Sequence, residues 1–150
     1  MKIYYREKSG GIEILRCFGI EGRVEIPGMI DGKLVISAAP YAFSSHMDEK
    51  EDLRNASLWE VSDGLEFGRE EHILAGNDVE EIVFPYTLKE IGRYIFYGCG
   101  NLKKLEFSDS LMQIGCGAFT GCHALEKLTV HMRQGKKSGV KEMLGEMWQR

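Results

Sequence analysis

Apolar and glycine positions recur along residues 91–130 with a spacing of 23 residues. Eight residues of the first unit return unchanged in the second: Ile91, Gly92, Phe96, Gly98, Cys99, Leu102, Lys104 and Leu105 return as Ile114, Gly115, Phe119, Gly121, Cys122, Leu125, Lys127 and Leu128. A fixed period in the twenties is typical of a solenoid, in which each repeat buries its apolar face only against its neighbours. The pattern therefore predicts a repeat protein.

Within each repeat, apolar and polar residues alternate over a short run. Leu105 and Phe107 alternate with Lys104 and Glu106. Because successive side chains of a strand point to opposite faces, this run predicts a strand with its apolar residues inward and its charged residues outward. An earlier strand with the same character is predicted around residues 79–84.

Glycine and phenylalanine mark the turns between the predicted strands. Gly92 and Gly115 stand where a turn begins, which indicates a positive φ or a close approach to the neighbouring repeat. Phe96 and Phe119 occupy equivalent positions and are predicted to stack, and Phe43 is predicted to be the first aromatic residue of this series. The aromatic series thus predicts that the repeats begin well before residue 91.

Short β-prone runs make up the N-terminal part of the chain. Residues 3–5 and 12–15 are separated by a glycine-containing segment at 8–11, which predicts a hairpin. Residues 24–26 predict a third strand that ends at Pro27 and Gly28. We expect residues 1–35 to form an N-terminal cap, because the first unit of a solenoid must cover an apolar end and a strand edge.

The middle of the chain carries a weaker pattern. The spacing of Leu53, Ala56 and Leu58 predicts another repeat strand, preceded by a polar surface turn at residues 44–52. Leu65, Phe67 and Ile73 are the predicted core positions that follow. The repeat register between residues 46 and 76 is left open by the pattern.

The C-terminal segment predicts a linker and a helix. An apolar stripe recurs at helical spacing after a polar segment, with Ser138 as a candidate N-cap: Val140, Met143, Leu144, Met147 and Trp148. Two roles are open for this helix, a cap on the last repeat or a partner-binding element. The predicted organisation is one domain over residues 1–150, with the cap at 1–35, about four repeats at 36–130 and the linker and helix at 131–150.

Composition and charge narrow the function classes. The chain has 150 residues, 43% hydrophobic content and a formal net charge of −4, which gives no reason to expect nucleic acid or an anionic membrane as a partner. Charged residues interrupt the N-terminus, and no run of about 18 apolar residues occurs, so neither a signal peptide nor a membrane span is predicted. We expect a cytoplasmic protein with four reduced cysteines, or an extracellular or surface protein if a signal sequence was removed.

The segment Ile114-Gly115-Cys116-Gly117-Ala118-Phe119-Thr120-Gly121-Cys122, followed by Leu125 and Leu128, resembles the repeat of the BspA-like leucine-rich repeat family. The resemblance extends over about residues 24–130. It implies an α/β right-handed solenoid with a parallel β-sheet on the concave face and short helical or 3₁₀ turns on the convex face. Many proteins of this family are bacterial surface or secreted proteins that act in adhesion and protein binding.

Candidate chemistry is sparse. Cys99 and Cys122 occupy equivalent repeat positions, so packing explains them better than a metal or redox site. Cys116, Cys122 and His123 lack the usual zinc-ligand spacing, and the nucleophile, zinc-protease and P-loop motifs are missing from the sequence. We expect no cofactor, no metal and no enzyme activity, with a cysteine enzyme using Cys116 or Cys122 as the remote alternative.

The outward residues of the predicted strands are the remaining functional candidates. They predict columns across the sheet: Asn55, Glu81, Lys104 and Lys127 in one, Ser57, Val83, Glu106 and Thr129 in the next, and Trp59, Pro85, Ser108 and His131 at the strand ends. The mixture of acidic, basic and apolar groups fits a protein surface better than a phosphate backbone. We predict a module that binds an unidentified protein through the concave face, with an adhesion protein fragment as the alternative. The candidate partner-binding residues are Trp59, Glu81, Val83, Lys104, Glu106, Lys127 and Thr129.

Overall fold

The computed structural model describes residues 1–46, 53–61 and 70–132, and within these ranges the chain forms a β-solenoid of about five turns. Twelve strands follow one another: β1 (Lys2–Lys8), β2 (Gly11–Gly19), β3 (Arg23–Glu25), β4 (Met29–Ile30), β5 (Lys33–Ala38), β6 (Ser57–Glu60), β7 (His72–Ile73), β8 (Glu81–Val83), β9 (Glu90–Ile91), β10 (Lys104–Ser108), β11 (Gln113–Ile114) and β12 (Lys127–His131). The predicted C-terminal helix, Leu65 and Phe67 lie outside the described residues.

One side of the solenoid is a four-stranded parallel sheet in the order β12-β10-β8-β3. Lys104 pairs with Lys127 and Leu105 pairs with Leu128, so residues 23 positions apart in sequence are lateral neighbours. Leu105 and Phe107 are buried and Lys104 is exposed, which confirms the predicted inward and outward faces. One complete turn of the solenoid, here called a coil, therefore corresponds to one sequence repeat.

The other sheet combines a parallel part with the N-terminal hairpin. Strands β2, β5, β9 and β11 pair in parallel and form a second side of the solenoid. Strands β1 and β2 pair antiparallel through a turn in which Ser9 and Gly10 have positive φ, which confirms the predicted hairpin. This hairpin places charged side chains of β1 beside the outer face of the parallel strands.

A ladder of phenylalanine rings occupies the core between the sheets and the turns. Phe43 stacks on Phe96 with ring centroids 6.2 Å apart, and Phe96 stacks on Phe119 at 5.6 Å. On the side of the four-stranded sheet, Phe84 stacks on Phe107 with ring centroids 5.0 Å apart. Such pairs add about 0.5–1.5 kcal/mol each beyond their burial. The predicted aromatic series is confirmed, with Phe43 as its first member.

Gly92 and Gly115 allow successive coils to approach each other at one corner. A Cβ atom at position 92 would overlap the backbone of Pro40, and one at position 115 would overlap the backbone of Arg93. The amide of Gly92 donates to Ala38 O at 2.9 Å, and the amide of Gly115 donates to Ile91 O at the same distance. The predicted close approach is confirmed, and it explains why glycine recurs here.

The predicted repeat strand around residues 53–58 is wrong. Strand β6 pairs antiparallel with β1, Leu58 is 46% exposed, and Leu53 and Ala56 are only half-buried. Gly76 instead lies beside the coil of Phe43, because its amide donates to Phe43 O at 2.8 Å. In sequence, the segment between Ser45 and Gly76 is therefore additional to the 23-residue period.

The predicted helical turns are also wrong for the described residues, where the helices are two three-residue 3₁₀ segments, Leu53–Asn55 and Gly76–Asp78. The repeated turns are tight hydrogen-bonded turns, in which the amide of Tyr97 donates to Tyr94 O at 3.1 Å and that of Cys99 donates to Phe96 O at 3.0 Å. Tyr94 and Gly117 have positive φ at equivalent positions. A left-handed residue cannot continue an α-helix, so each segment closes as a turn.

Candidate functional site

Six of the predicted partner-binding residues lie together on the outer side of the four-stranded sheet. Pairing of β8, β10 and β12 aligns them in two columns: Glu81, Lys104 and Lys127 in one, and Val83, Glu106 and Thr129 in the other. Adjacent strands are about 4.8 Å apart, so neighbouring members of a column are within side-chain contact distance. The column prediction is confirmed for these three strands.

Strand β3 extends both columns with residues that the sequence patterns missed. Arg23 pairs with Glu81 and Glu25 pairs with Val83. The guanidinium of Arg23 lies 3.2 Å from the Glu25 carboxylate and 3.6 Å from that of Glu81. The sequence did contain a signal for this pairing. Val24 lies between two charged residues, in the same way that an apolar residue, Ile82, is the central residue of β8.

The charges of this surface differ in how they are compensated. Glu106 lies 3.3 Å from the imidazole of His131, which is exposed. Lys104 and Lys127 are adjacent, exposed and, within the part of the chain that the structure describes, without an ion-pair partner. Two unpaired ammonium groups on neighbouring strands repel each other, which makes this end of the sheet ready to accept carboxylates or carbonyl oxygens.

Trp59 is not part of this surface. It lies on β6 opposite Ile3 of β1, where it is half-buried and packs against the core. Asn55 and Ser57 also lie away from the four-stranded sheet, so the columns were wrong at these positions. Val83 is consequently the apolar candidate that remains among the predicted residues.

A cleft of about 510 Å³ lies on the other sheet, and the sequence patterns did not predict it. Its floor is crossed by four polar residues on neighbouring parallel strands, because Glu13 pairs with Ser37, Ser37 with Glu90, and Glu90 with Gln113. Its other lining residues are mostly apolar or glycine, and they include Met112 at the rim.

An ion network built on Lys8 is part of the lining of the cleft. Lys8 Nζ lies 3.0 Å from Glu13 Oε2 and 2.6 Å from Glu90 Oε1. Ser37 Oγ lies 2.9 Å from the same Glu13 oxygen and 3.1 Å from the same Glu90 oxygen. Arg6 donates to the other oxygen of Glu13, whose side chain is 2% exposed.

The network shifts the pKa values of its members. Burial raises the pKa of Glu13, but hydrogen bonds from Lys8, Ser37 and Arg6 outweigh burial and leave the pKa below its ordinary value. The hydrogen bond to Glu90 raises the pKa of Lys8, with burial opposing and Glu13 adding to the rise. Both groups are therefore held in their charged forms.

The repeated cysteines are packing residues. Cys99 Sγ donates to Phe43 O at 3.2 Å, and Cys122 Sγ donates to Phe96 O at 3.3 Å, so each thiol contacts the preceding coil in the same way. Burial raises the pKa of both thiols to about 12. A thiol with such a pKa is a poor nucleophile near neutral pH. Cys116 differs, because it is exposed.

Within residues 1–46, 53–61 and 70–132, no three His, Cys, Asp or Glu side chains are grouped in a way that would hold a metal ion. No helix in these same ranges has the length and hydropathy needed to cross a membrane.

The family of the repeats follows from a match between the sequence and a family model. Residues 70–138 match the model of the BspA type leucine-rich repeat region, in six copies. These residues are BspA-type leucine-rich repeats. The leucine-rich repeats include strands β8, β10 and β12 and thus carry the six aligned candidate residues. None of the curated protein sequences matches the chain.

Two solved leucine-rich repeat structures are similar to this one. One is a leucine rich cell surface protein from Faecalibacterium prausnitzii, with 19% identity, a TM-score of 0.55, and coverage of 86% of this chain and 30% of that protein. The other is a leucine-rich repeat protein of T. pallidum, with 15% identity, a TM-score of 0.48, and coverage of 97% of this chain and 92% of that one. This chain spans about a third of the cell-surface protein, and that similarity supports the leucine-rich-repeat fold.

Proposed function

We propose that this chain is a non-enzymatic interaction module that binds a partner protein through the outer side of the four-stranded sheet. The residues of this surface, here called the repeat face, are Arg23, Glu25, Glu81, Val83, Lys104, Glu106, Lys127 and Thr129. Leucine-rich repeats with an extended regular sheet commonly present such surfaces to partners. The observation that carries the proposal is the alignment of these side chains in two columns by the parallel register.

The charges of the repeat face favour a protein over a nucleic acid as partner. The first column carries three cations and one carboxylate and the second carries two carboxylates, and Arg23 is already compensated by Glu25 and Glu81. A phosphate backbone requires several cations of one sign without adjacent carboxylates. A protein surface can instead place a carboxylate against Lys104 and Lys127 and an apolar side chain against Val83.

Capture of a partner by matched variants tests this proposal. Native protein is compared with a variant in which Glu81, Val83, Lys104 and Glu106 are changed to alanine. The control variant changes Glu7, Leu34, Glu60 and Lys89 to alanine, which also removes two carboxylates, one ammonium and one aliphatic side chain from exposed positions. Both variants are checked by circular dichroism before use.

The proposal predicts a protein that native chain and control variant capture from a lysate or from surface extracts of the source cells, and that the repeat-face variant loses. Photo-crosslinking residues introduced at positions 83 and 129 should then give a cross-link to the same protein. Capture that is equal for the two variants would overturn the assignment of the repeat face.

Adhesion at a cell surface is a second candidate, and the structural similarity to a cell-surface leucine rich protein favours it. The cytoplasmic location predicted from the N-terminal residues has no support from the similar proteins. An antibody against the chain would bind intact source cells if the chain is displayed, and protease added to those cells would remove the signal. Detection only after lysis would favour the cytoplasmic location.

A further inference from the structure

The cleft on the eight-stranded sheet has the size and lining of a ligand site. Its volume of about 510 Å³ falls within the range of small-ligand pockets, which are mostly apolar with a few convergent polar groups. Its lining residues include Ala38, Ile91 and Gly92, and also Met112, which is 72% exposed. It lies on a different sheet from the repeat face, so an inference about it does not depend on the proposed function.

The polar residues of the cleft keep hydrogen-bonding groups available after their own contacts are made. Lys8 uses two of its three N–H donors on Glu13 and Glu90. Glu90 accepts through Oε1, whereas its Oε2 receives no hydrogen bond from any described residue. The Gln113 amide is exposed and makes no side-chain hydrogen bond within the described ranges. A free donor, a free acceptor and an amide are thus among the groups that line the cleft.

The charge of the cleft excludes two kinds of ligand. Lys8 and Arg6 compensate Glu13 and Glu90, so the ion network is neutral as a whole. A strongly anionic ligand would have to compete with Glu90, and a strongly cationic one would have to compete with Lys8. An uncharged ligand with its own amide N–H and C=O groups meets no such competition and satisfies the free donor and acceptor.

We propose that this cleft binds a short uncharged peptide segment. One backbone C=O of the peptide accepts from the Gln113 amide and another accepts from Lys8, and an N–H donates to Glu90 Oε2. An apolar side chain of the peptide packs against Met112. Glu90 and Gln113 are register partners on neighbouring strands about 4.8 Å apart, a separation that one short extended peptide spans.

A methyl-labelled methionine spectrum tests the proposal with a defined probe. The full chain carries ¹³C-methyl methionine, and N-acetyl-Ala-Leu-Ala-amide is titrated up to about 10 mM, a concentration suited to the weak affinity of a ligand this small. Met112 reports on the cleft, and Met29, which is also exposed but does not line the cleft, is the internal control. The same titration uses probes with Lys or Asp in place of the central Leu.

The expected result is a saturable shift of the Met112 methyl with the uncharged probe, at least about fivefold tighter than with either charged probe, and no saturable shift of Met29. Gln113→Ala should weaken binding by about tenfold, as expected for the loss of one hydrogen-bonded pair. Tyr86→Ala, at an exposed position that does not line the cleft, should leave it unchanged. Both positions are partly or fully exposed, so both variants are expected to fold.

Three results would overturn the proposal: no Met112 shift at about 10 mM, a charged probe that binds as tightly as the uncharged one, or equal affinity of the Gln113→Ala variant and the native chain. Retained binding in the repeat-face variant would show that the two sites are independent, and it separates failure of one proposal from failure of the other.

Discussion

Tyr94 lies directly over Gly117 of the next coil, so that a Cβ atom at position 117 would overlap the Tyr94 ring. The two residues occupy equivalent repeat positions, and both have positive φ, at 52° for Tyr94 and 66° for Gly117. Tyr94 also stacks on Tyr41 of the preceding coil with ring centroids 5.6 Å apart. The absence of a side chain at Gly117 therefore leaves the space that the Tyr94 ring occupies, and glycine also tolerates the left-handed backbone.

Changing Gly117 to alanine should destabilise the fold by about 2–4 kcal/mol. About 1 kcal/mol comes from a side chain at positive φ, and a further 1–3 kcal/mol comes from the overlap with the Tyr94 ring. Gly10→Ala is the matched control, because Gly10 has φ of 81° but open space around it. The Gly10→Ala variant should lose only the contribution of about 1 kcal/mol that comes from a side chain at positive φ. Urea unfolding measures both losses, and equal losses would show that the ring contact is unimportant.

Gly115→Ala should be more damaging, with a loss of about 3 kcal/mol or more. The new Cβ would overlap backbone atoms of Arg93, which cannot move without separating two coils. Gly28→Ala provides the comparison, since its nearest neighbour would be 3.7 Å away and its φ is not positive. Thermal unfolding should show a large fall in melting temperature for the first variant and almost none for the second. A small fall for Gly115→Ala would mean that the coils separate easily.

Glu13→Gln should weaken the fold at neutral pH and have little effect in acid. The pKa of Glu13 is below its ordinary value, so ionised Glu13 stabilises the protein above pH of about 4.3. This stabilisation is lost as the pH falls through the lowered pKa. We expect a loss of about 1–3 kcal/mol at pH 7 in urea unfolding, because Arg6 and Lys8 lose their shared carboxylate.

The control for Glu13→Gln is Glu25→Gln, which removes an exposed carboxylate paired with Arg23. Exposed ion pairs contribute little, so this variant should change the free energy of unfolding by less than about 1 kcal/mol. If Glu13→Gln and native protein differed as much at pH 3 as at pH 7, the charge of Glu13 would not be the cause.

The four cysteines should differ sharply in reactivity. Burial raises the pKa of Cys17, Cys99 and Cys122 to about 12, whereas Cys116 is exposed. Iodoacetamide at pH 8 should modify one thiol in the folded protein and all four in urea, as counted by mass spectrometry. Cys116→Ala should leave the folded protein unmodified. Rapid modification of Cys122 in the folded chain would return the cysteine-enzyme alternative to consideration.

The 23-residue period predicted the lateral neighbours of the four-stranded sheet because sequence offset becomes spatial adjacency in a solenoid. Lys104 and Lys127, or Val83 and Glu106, could thus be aligned from their spacing alone. The same reasoning failed at Trp59, because β6 pairs with β1 across more than 50 residues of chain. No local pattern encodes a pairing of that kind.

The cleft shows the limit of the repeat pattern most clearly. Glu90 and Gln113 are separated by one period, but Ser37 and Glu90 are 53 residues apart, because the sequence between Ser45 and Gly76 is additional to the period. Lys8 reaches both carboxylates only because the β1–β2 hairpin folds back beside the parallel strands. The 23-residue period therefore could not predict that Glu13, Ser37, Glu90 and Gln113 lie side by side.

The sequence by itself determined the repeat unit, the inward and outward faces of each strand, and the glycine and phenylalanine positions at the turns. These features depend on local alternation and on contacts between adjacent repeats. Only the tertiary structure decided that β6 pairs with β1, that β3 joins the four-stranded sheet, and that Lys8, Glu13 and Glu90 meet. Those contacts join distant segments, and their energies depend on burial and charge pairing that arise only when the whole chain is folded.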